Sequence, residues 1–120
     1  MDFNSIGCIA EYKFAIMAMK HNINVSFPLL HSSPYDCITD SKNGLKKIQI
    51  KSASGKGDKV RCFLRNTKKK SYPIDEVDYF AVWIESHNGF YIFKNDVKRT
   101  SIVLEKKGKH LKKFNNFAVL

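Results

Sequence analysis

The Asn43-Gly44 dipeptide sits between two runs of strand-forming residues, Tyr35–Asp40 and Leu45–Ser52, and constrains this chain more than any other feature. Asn-Gly is the strongest short signal for a tight hairpin, because both residues tolerate positive φ. With Asn43 and Gly44 as a two-residue turn, Lys42 pairs with Leu45, Asp36 faces Lys51, Ile38 faces Gln49 and Asp40 faces Lys47. A four-residue loop moves the pairing so that Asp36 faces Gln49. The two registers differ by an even number of residues. In either one, Asp36, Gln49 and Lys51 therefore share one face, while Cys37, Thr39, Ile48 and Ile50 share the other. A carboxylate, a carboxamide and an ammonium converge on one patch of sheet.

The rest of the pattern supplies a frame for that hairpin. Ser5 to His21 reads as a helix with Asn4 or Ser5 as N-cap and Asn22 as its stop. Apolar residues surround it on most sides, which predicts a largely buried helix. Glu11 lies among Gly7, Cys8, Phe14, Ala15 and Ala18, and a carboxylate on so apolar a face needs a reason. Further strands are expected at Ile23–Pro28, Lys59–Leu64, Tyr79–Glu85 and Phe90–Lys94, the last two joined through Ser86-His87-Asn88-Gly89. Phe90–Lys94 is read as a core strand, with a subunit contact as the alternative. Asn95–Arg99 is expected to start a helical turn, and beyond Ser101 the pattern is weak. A helix on a mixed, mostly antiparallel sheet, an α+β layered domain, is the predicted fold. The chain has 120 residues and reads as one domain, with a core over about residues 5–94 and a basic segment over 95–120.

Charge narrows the function. Twenty-one Lys and Arg oppose 11 Asp and Glu, a net charge of +10. The excess thickens at Arg61, Arg65, Lys68, Lys69 and Lys70, and again between Lys94 and Lys113, where Lys98 and Arg99 lie. Tyr72, Phe90, Tyr91, Phe93 and Phe114 are interleaved with it. Solvated strand edges blunted by lysine are one explanation. The size of the excess favours a surface that neutralises the phosphates of nucleic acid. Cys8, Cys37 and Cys62 are odd in number and form no C-x-x-C pair, and His21, His31, His87 and His110 form no H-E-x-x-H, so neither a disulfide framework nor a usual zinc site is expected. No apolar run approaches the roughly 18 residues of a membrane span, and Met1-Asp2-Phe3 lacks a signal-peptide layout. A cytoplasmic protein with no membrane partner is expected.

Taken alone, Asp36 and Lys51 could be a cross-strand ion pair on a solvated face, which contributes under about 1 kcal/mol. Glu11 and the cationic balance favour another use: two acids and a lysine suit metal-dependent hydrolysis of phosphodiesters. Carboxylates hold a hard divalent cation through oxygen, and a lysine can orient water or offset transition-state charge.

Tyr35-Asp36 followed by Gln49-Ile50-Lys51 resembles the PD-(D/E)XK motif of a large nuclease superfamily. Helix-borne Glu11, preceded by Gly7, resembles the extra acid of the branch that holds group I intron homing endonucleases and archaeal Holliday junction resolvases. Asn24-Val25-Ser26-Phe27-Pro28 and Asp78-Tyr79-Phe80-Ala81-Val82-Trp83 look like that branch too. Tyr35 stands where the motif has proline, and Gln49 stands where it has an acid; the Q-x-K form is one that homing endonucleases use.

The resemblance implies a restriction-endonuclease-like core and a Mg²⁺-dependent endonuclease of double-stranded DNA, with Mn²⁺ able to substitute, most in keeping with a homing-type enzyme. A Holliday junction resolvase, or a non-catalytic DNA-binding module on the same fold, are the alternatives. Under this resemblance Glu11, Asp36, Gln49 and Lys51 form the catalytic set. Asp36, Gln49, the Ile50 carbonyl and Glu11 hold metal, and Ser26 and Ser52 support them by hydrogen bonds. Arg61, Arg65, Lys68, Lys69, Lys70, Lys98 and Arg99 are the DNA-contacting candidates. A domain this small reaches one strand or half-site, so a homodimer or tetramer is expected.

Overall fold

Helix α1 spans Phe3–Lys20 in the computed structural model, which describes residues 1–55 and 57–120. It starts earlier than expected, because Asp2, not Asn4 or Ser5, is the N-cap: its Oδ1 accepts the Ser5 amide at 2.8 Å. Asn22 takes the left-handed conformation, φ 60°, just past the end. The helix is not largely buried. Ala10, Phe14 and Ala18, one line along the cylinder, are buried, whereas Ile9, Tyr12, Ile16 and Met19 are exposed, Tyr12 by 64%. Apolar residues on every side give no means of choosing a face. The choice comes from the sheet, which can touch only one.

That sheet has the order β1-β2-β3-β5-β6, with β1 Asn24–Ser26, β2 Cys37–Ser41, β3 Gly44–Ala53, β5 Tyr79–Ile84 and β6 Gly89–Lys94. Only β3 and β5 run parallel. A parallel pair needs a crossover, and the crossover here carries β4 (Lys59–Phe63), which pairs with β7 (Ser101–Glu105) as a separate antiparallel ribbon. The fold is α+β, one helix on a mixed sheet, as expected. The sequence pattern missed β7, since Ile102 and Leu104 pointing inward around an exposed Val103 are too short a run to show a period.

Two cores result, one on each face of the sheet. Ala10, Phe14 and Ala18 of α1 pack with Ile48, Ile50, Trp83 and Phe90. On the opposite face Val60, Leu64, Phe80, Val82, Ile102 and Leu104 pack beneath the ribbon. Strand β5 is covered on both faces, which explains its unbroken apolar run. Phe90, Tyr91, Ile92 and Phe93 are all buried, so β6 is the core strand expected, at one edge of the sheet. The segment after β7 also contributes: Phe117 and Leu120 are buried on the helix side. No helix forms over Asn95–Arg99. Asp96 instead accepts the amides of Lys98 and Arg99, each at 3.0 Å, in a side-chain-capped turn.

The first hairpin takes the second of the two expected registers. Cys37 pairs with Ile48, Ile38 with Lys47, Asp40 with Leu45 and Ser41 with Gly44. An Asn43-Gly44 turn of the tightest kind needs positive φ at both residues, and only Gly44 has it, at 95°. Ser41 Oγ accepts the Asn43 amide at 3.0 Å, which places the bend at Lys42-Asn43 instead. The face assignment survives the shift: Cys37, Thr39, Ile48 and Ile50 are all buried.

Candidate active site

Strand β3 outruns its partner. The last rung of the β2–β3 ladder is Cys37 with Ile48, and the Asp36 amide adds one more bond to the Ile48 carbonyl at 2.8 Å. Beyond that point β2 diverges, while β3 continues to Ala53 alongside β5. The departing strand leaves the Ile50 amide without a main-chain partner. The Asp36 side chain replaces it: Oδ2 accepts the Ile50 N–H at 2.7 Å. One carboxylate oxygen is thereby fixed, and Oδ1 takes no hydrogen bond among the described residues.

The fork opens onto a cleft of about 290 Å³ whose walls include Gly7, Glu11, Asp36, Gln49, Lys51 and Ser52. Helix α1 brings Glu11 to its rim. Glu11 and Asp36 also border a second concavity of about 320 Å³, walled by Phe27, His31, Ser33 and Tyr35. A Cβ on Gly7 would meet nothing within 4 Å, so that glycine keeps the cleft wall low without being demanded by packing. Of the residues expected at the site, Glu11, Asp36, Gln49, Ile50, Lys51 and Ser52 line one cleft. Ser26 does not line it; it pairs with Ile38 on the far side of β2.

Electrostatics set the two carboxylates apart from surface acids. Burial raises the Asp36 pKa, opposed by the Ile50 hydrogen bond and the Lys51 charge. Burial also raises that of Glu11, the Asp36 charge raises it further, and His31 opposes both. Two acids that resist ionisation side by side are relieved by a cation between them.

Lys51 does not pair with Asp36. Its ammonium donates to the Tyr72 hydroxyl at 3.2 Å and to the Arg65 carbonyl at 3.4 Å, and lies 5.2 Å from the Tyr72 ring. The sequence reading missed these partners, which lie in the crossover and carry no local signal of contact with β3. His31 is a second omission, since its charge reaches Glu11 only through the fold.

Among the described residues no three His, Cys, Asp or Glu side chains gather into a metal-binding group. The donors at the cleft are two carboxylates, the Gln49 carboxamide and the neighbouring main chain. These are hard oxygen donors, with negative charge that burial makes costly, and they fit a divalent cation of the Mg²⁺ kind.

The basic candidates fall into two groups, exposed except for Arg65. Lys68, Lys69 and Lys70 occupy a turn tied by Asn66, whose Oδ1 accepts the Lys68 and Lys70 amides at 2.9 and 3.1 Å. Arg61 projects from β4 and donates to Ser101, and the half-buried Arg65 guanidinium lies 4.3 Å from the Phe63 ring. Lys98 is exposed, but Arg99 is paired with Asp96 at 2.8 Å, which offsets its charge.

Comparison with known proteins bears on the family and the fold. A family model described as PD-(D/E)XK endonuclease matches residues 1–119. No curated protein matches the chain. Among solved structures it is similar to a bacterial homing endonuclease, with a TM-score of 0.84 at 23% identity, over 99% of this chain and 93% of that one. At that identity the likeness shows the fold. Among the described residues no helix is long and apolar enough to cross a membrane.

Proposed function

This chain belongs to the PD-(D/E)XK endonuclease family, and from that premise we propose that it is a Mg²⁺-dependent, homing-type endonuclease of double-stranded DNA. The observation that carries the proposal is the Asp36 carboxylate, held by the Ile50 amide at the fork and sharing a cleft with Glu11, Gln49 and Lys51.

In this reading Asp36 and Glu11 would hold the cation, with the Gln49 carboxamide and the Ile50 carbonyl. When bound, the cation supplies Lewis acidity at a phosphate oxygen and lowers the pKa of water. Every remaining role falls to the chain. Lys51, in the wall of the same cleft, offsets the charge that builds on the phosphate in the transition state or orients the attacking water. Lys68, Lys69, Lys70, Arg61 and Lys98 neutralise backbone phosphates on either side. Gln49 supports the homing reading by resemblance, because Q-x-K is a form of the motif that homing endonucleases use, and its carboxamide still offers an oxygen donor. The solved structure that the fold is similar to is that of a bacterial homing endonuclease.

One domain spans one half-site, so the proposed enzyme acts as a homodimer or larger assembly that presents two clefts to the two strands. Selection of binding sites from random duplex DNA tests the homing reading: one long enriched site is expected. Absence of enrichment, together with preference for a four-way junction, would replace it with resolution of junctions.

A further inference from the structure

We infer that Tyr72 is a positioning residue for the reaction, acting through Lys51. The inference rests on the proposed role of Lys51 as the catalytic cation. Lysine is a flexible point charge with three N–H donors on a four-carbon stem. In this protein two of the three are spent at fixed acceptors, the Tyr72 hydroxyl at 3.2 Å and the Arg65 carbonyl at 3.4 Å. One donor then remains for the cleft, aimed by the other two.

The seat is rigid because Tyr72 is held from several sides. It is 7% exposed, and its ring meets Phe80 edge-on with centroids 5.8 Å apart. Its carbonyl accepts from Asn95 Nδ2 at 2.8 Å, and the same amide nitrogen donates to the Val77 carbonyl at 2.9 Å. Pro73 follows it directly and restricts its backbone to extended conformations. On its other side Arg65 and Ser71 form a β-bridge that closes a loop, so the two acceptors for Lys51, the Arg65 carbonyl and the residue next to Ser71, sit at the base of that loop. That loop also carries Lys68, Lys69 and Lys70. A ring buried for packing alone does not require a hydroxyl, and the Tyr72 hydroxyl is the atom that meets Lys51.

The substitution Tyr72→Phe removes the acceptor and keeps the ring. Cleavage is followed at saturating enzyme, duplex affinity is measured without divalent cation, and NMR relaxation of the Lys51 Cε reports side-chain order in lysine-labelled protein. The expected result is a loss of about tenfold in cleavage rate, the scale of a small misplacement of a reacting group. Affinity is unchanged, and the Lys51 Cε becomes mobile. If Tyr72→Phe lowers the melting temperature, the same measurements are made at a temperature where the variant retains the parent circular dichroism. A parent-like rate overturns the inference, as does a slower rate with an unchanged Lys51 Cε signal, which would mean a packing role only. Lys51→Ala, run alongside, separates the two levels. If it is inactive while Tyr72→Phe is fully active, only the positioning role fails; if it is active, the proposed function fails first.

Discussion

The Asp36 carboxylate accepts the Ile50 amide at 2.7 Å at the point where β2 parts from β3, so a side chain completes a ladder that the main chain abandons. This bond ties the site to the fold. The acid is placed by the same divergence that opens the cleft, and the half-buried position that raises its pKa also leaves one oxygen for a ligand. Glu11 reaches the same cleft from the opposite layer.

Glu11→Gln should leave the protein at least as stable in the absence of metal, because burial and the Asp36 charge disfavour the ionised glutamate that it removes. Mg²⁺ should raise the melting temperature of the parent, since a ligand bound only to the folded state at about ten times its Kd adds roughly 1.4 kcal/mol. In Glu11→Gln that increment should shrink or vanish, along with cleavage. Thermal melts with and without Mg²⁺ check both; an equal increment in the variant would remove Glu11 from the metal set.

Asn95→Ala should be among the most destabilising single changes outside the cleft. The amide is buried, its Nδ2 serves the Tyr72 and Val77 carbonyls, and its Oδ1 accepts the Val97 amide at 3.0 Å. Stranding those groups should cost about 2–4 kcal/mol, read from urea unfolding.

Asp96 gives a pH dependence of definite sign. Its two amide bonds and the Arg99 pair hold its pKa down to about 2. An acid depressed in the folded state contributes stability above its unfolded value, near 3.8, and loses it as pH falls through the folded value. Asp96→Ala should therefore cost at most about 1 kcal/mol near neutrality, the scale of an exposed cap screened by solvent. The difference between parent and variant should close as pH falls from about 4 towards 2.

Duplex affinity should fall steeply with salt. Each phosphate neutralised changes the slope of log K against log salt by about one. Replacing Lys68, Lys69 and Lys70 by Ala should reduce that slope by about three with little change in melting temperature. Arg99→Ala should change it less, because Asp96 already pairs with Arg99. A salt-independent affinity in the parent would remove the nucleic-acid reading.

Much of the site was legible in sequence because face assignment in a hairpin depends only on parity. Cys37, Thr39, Ile48 and Ile50 kept the buried face although the register moved, Asp36, Gln49 and Lys51 line one cleft, and Ser41 caps the shifted turn. The glutamate was legible as a misfit, a carboxylate on an apolar face. Other features were set by tertiary contact and left no local mark. The exposed line Ile9, Tyr12, Ile16 and Met19 reads the same as the buried line until the sheet selects one. Strand β7 gains its identity only from β4, and Phe117 and Leu120 follow a lysine-rich run yet fill the core under α1. Tyr72 is distant from Lys51 in sequence and reaches it through the crossover.

The most direct measurement is nicking of supercoiled plasmid carrying the selected site by the parent and by Lys51→Ala, each with Mg²⁺ and with chelator. The parent should nick only with Mg²⁺. Lys51→Ala should fold and bind the duplex as the parent does, while its cleavage falls by about 10²–10³-fold, the scale of losing one transition-state donor. Cutting by Lys51→Ala at the parent rate, or cutting by the parent undiminished in chelator, would contradict the assignment of this cleft as a metal-dependent nuclease site.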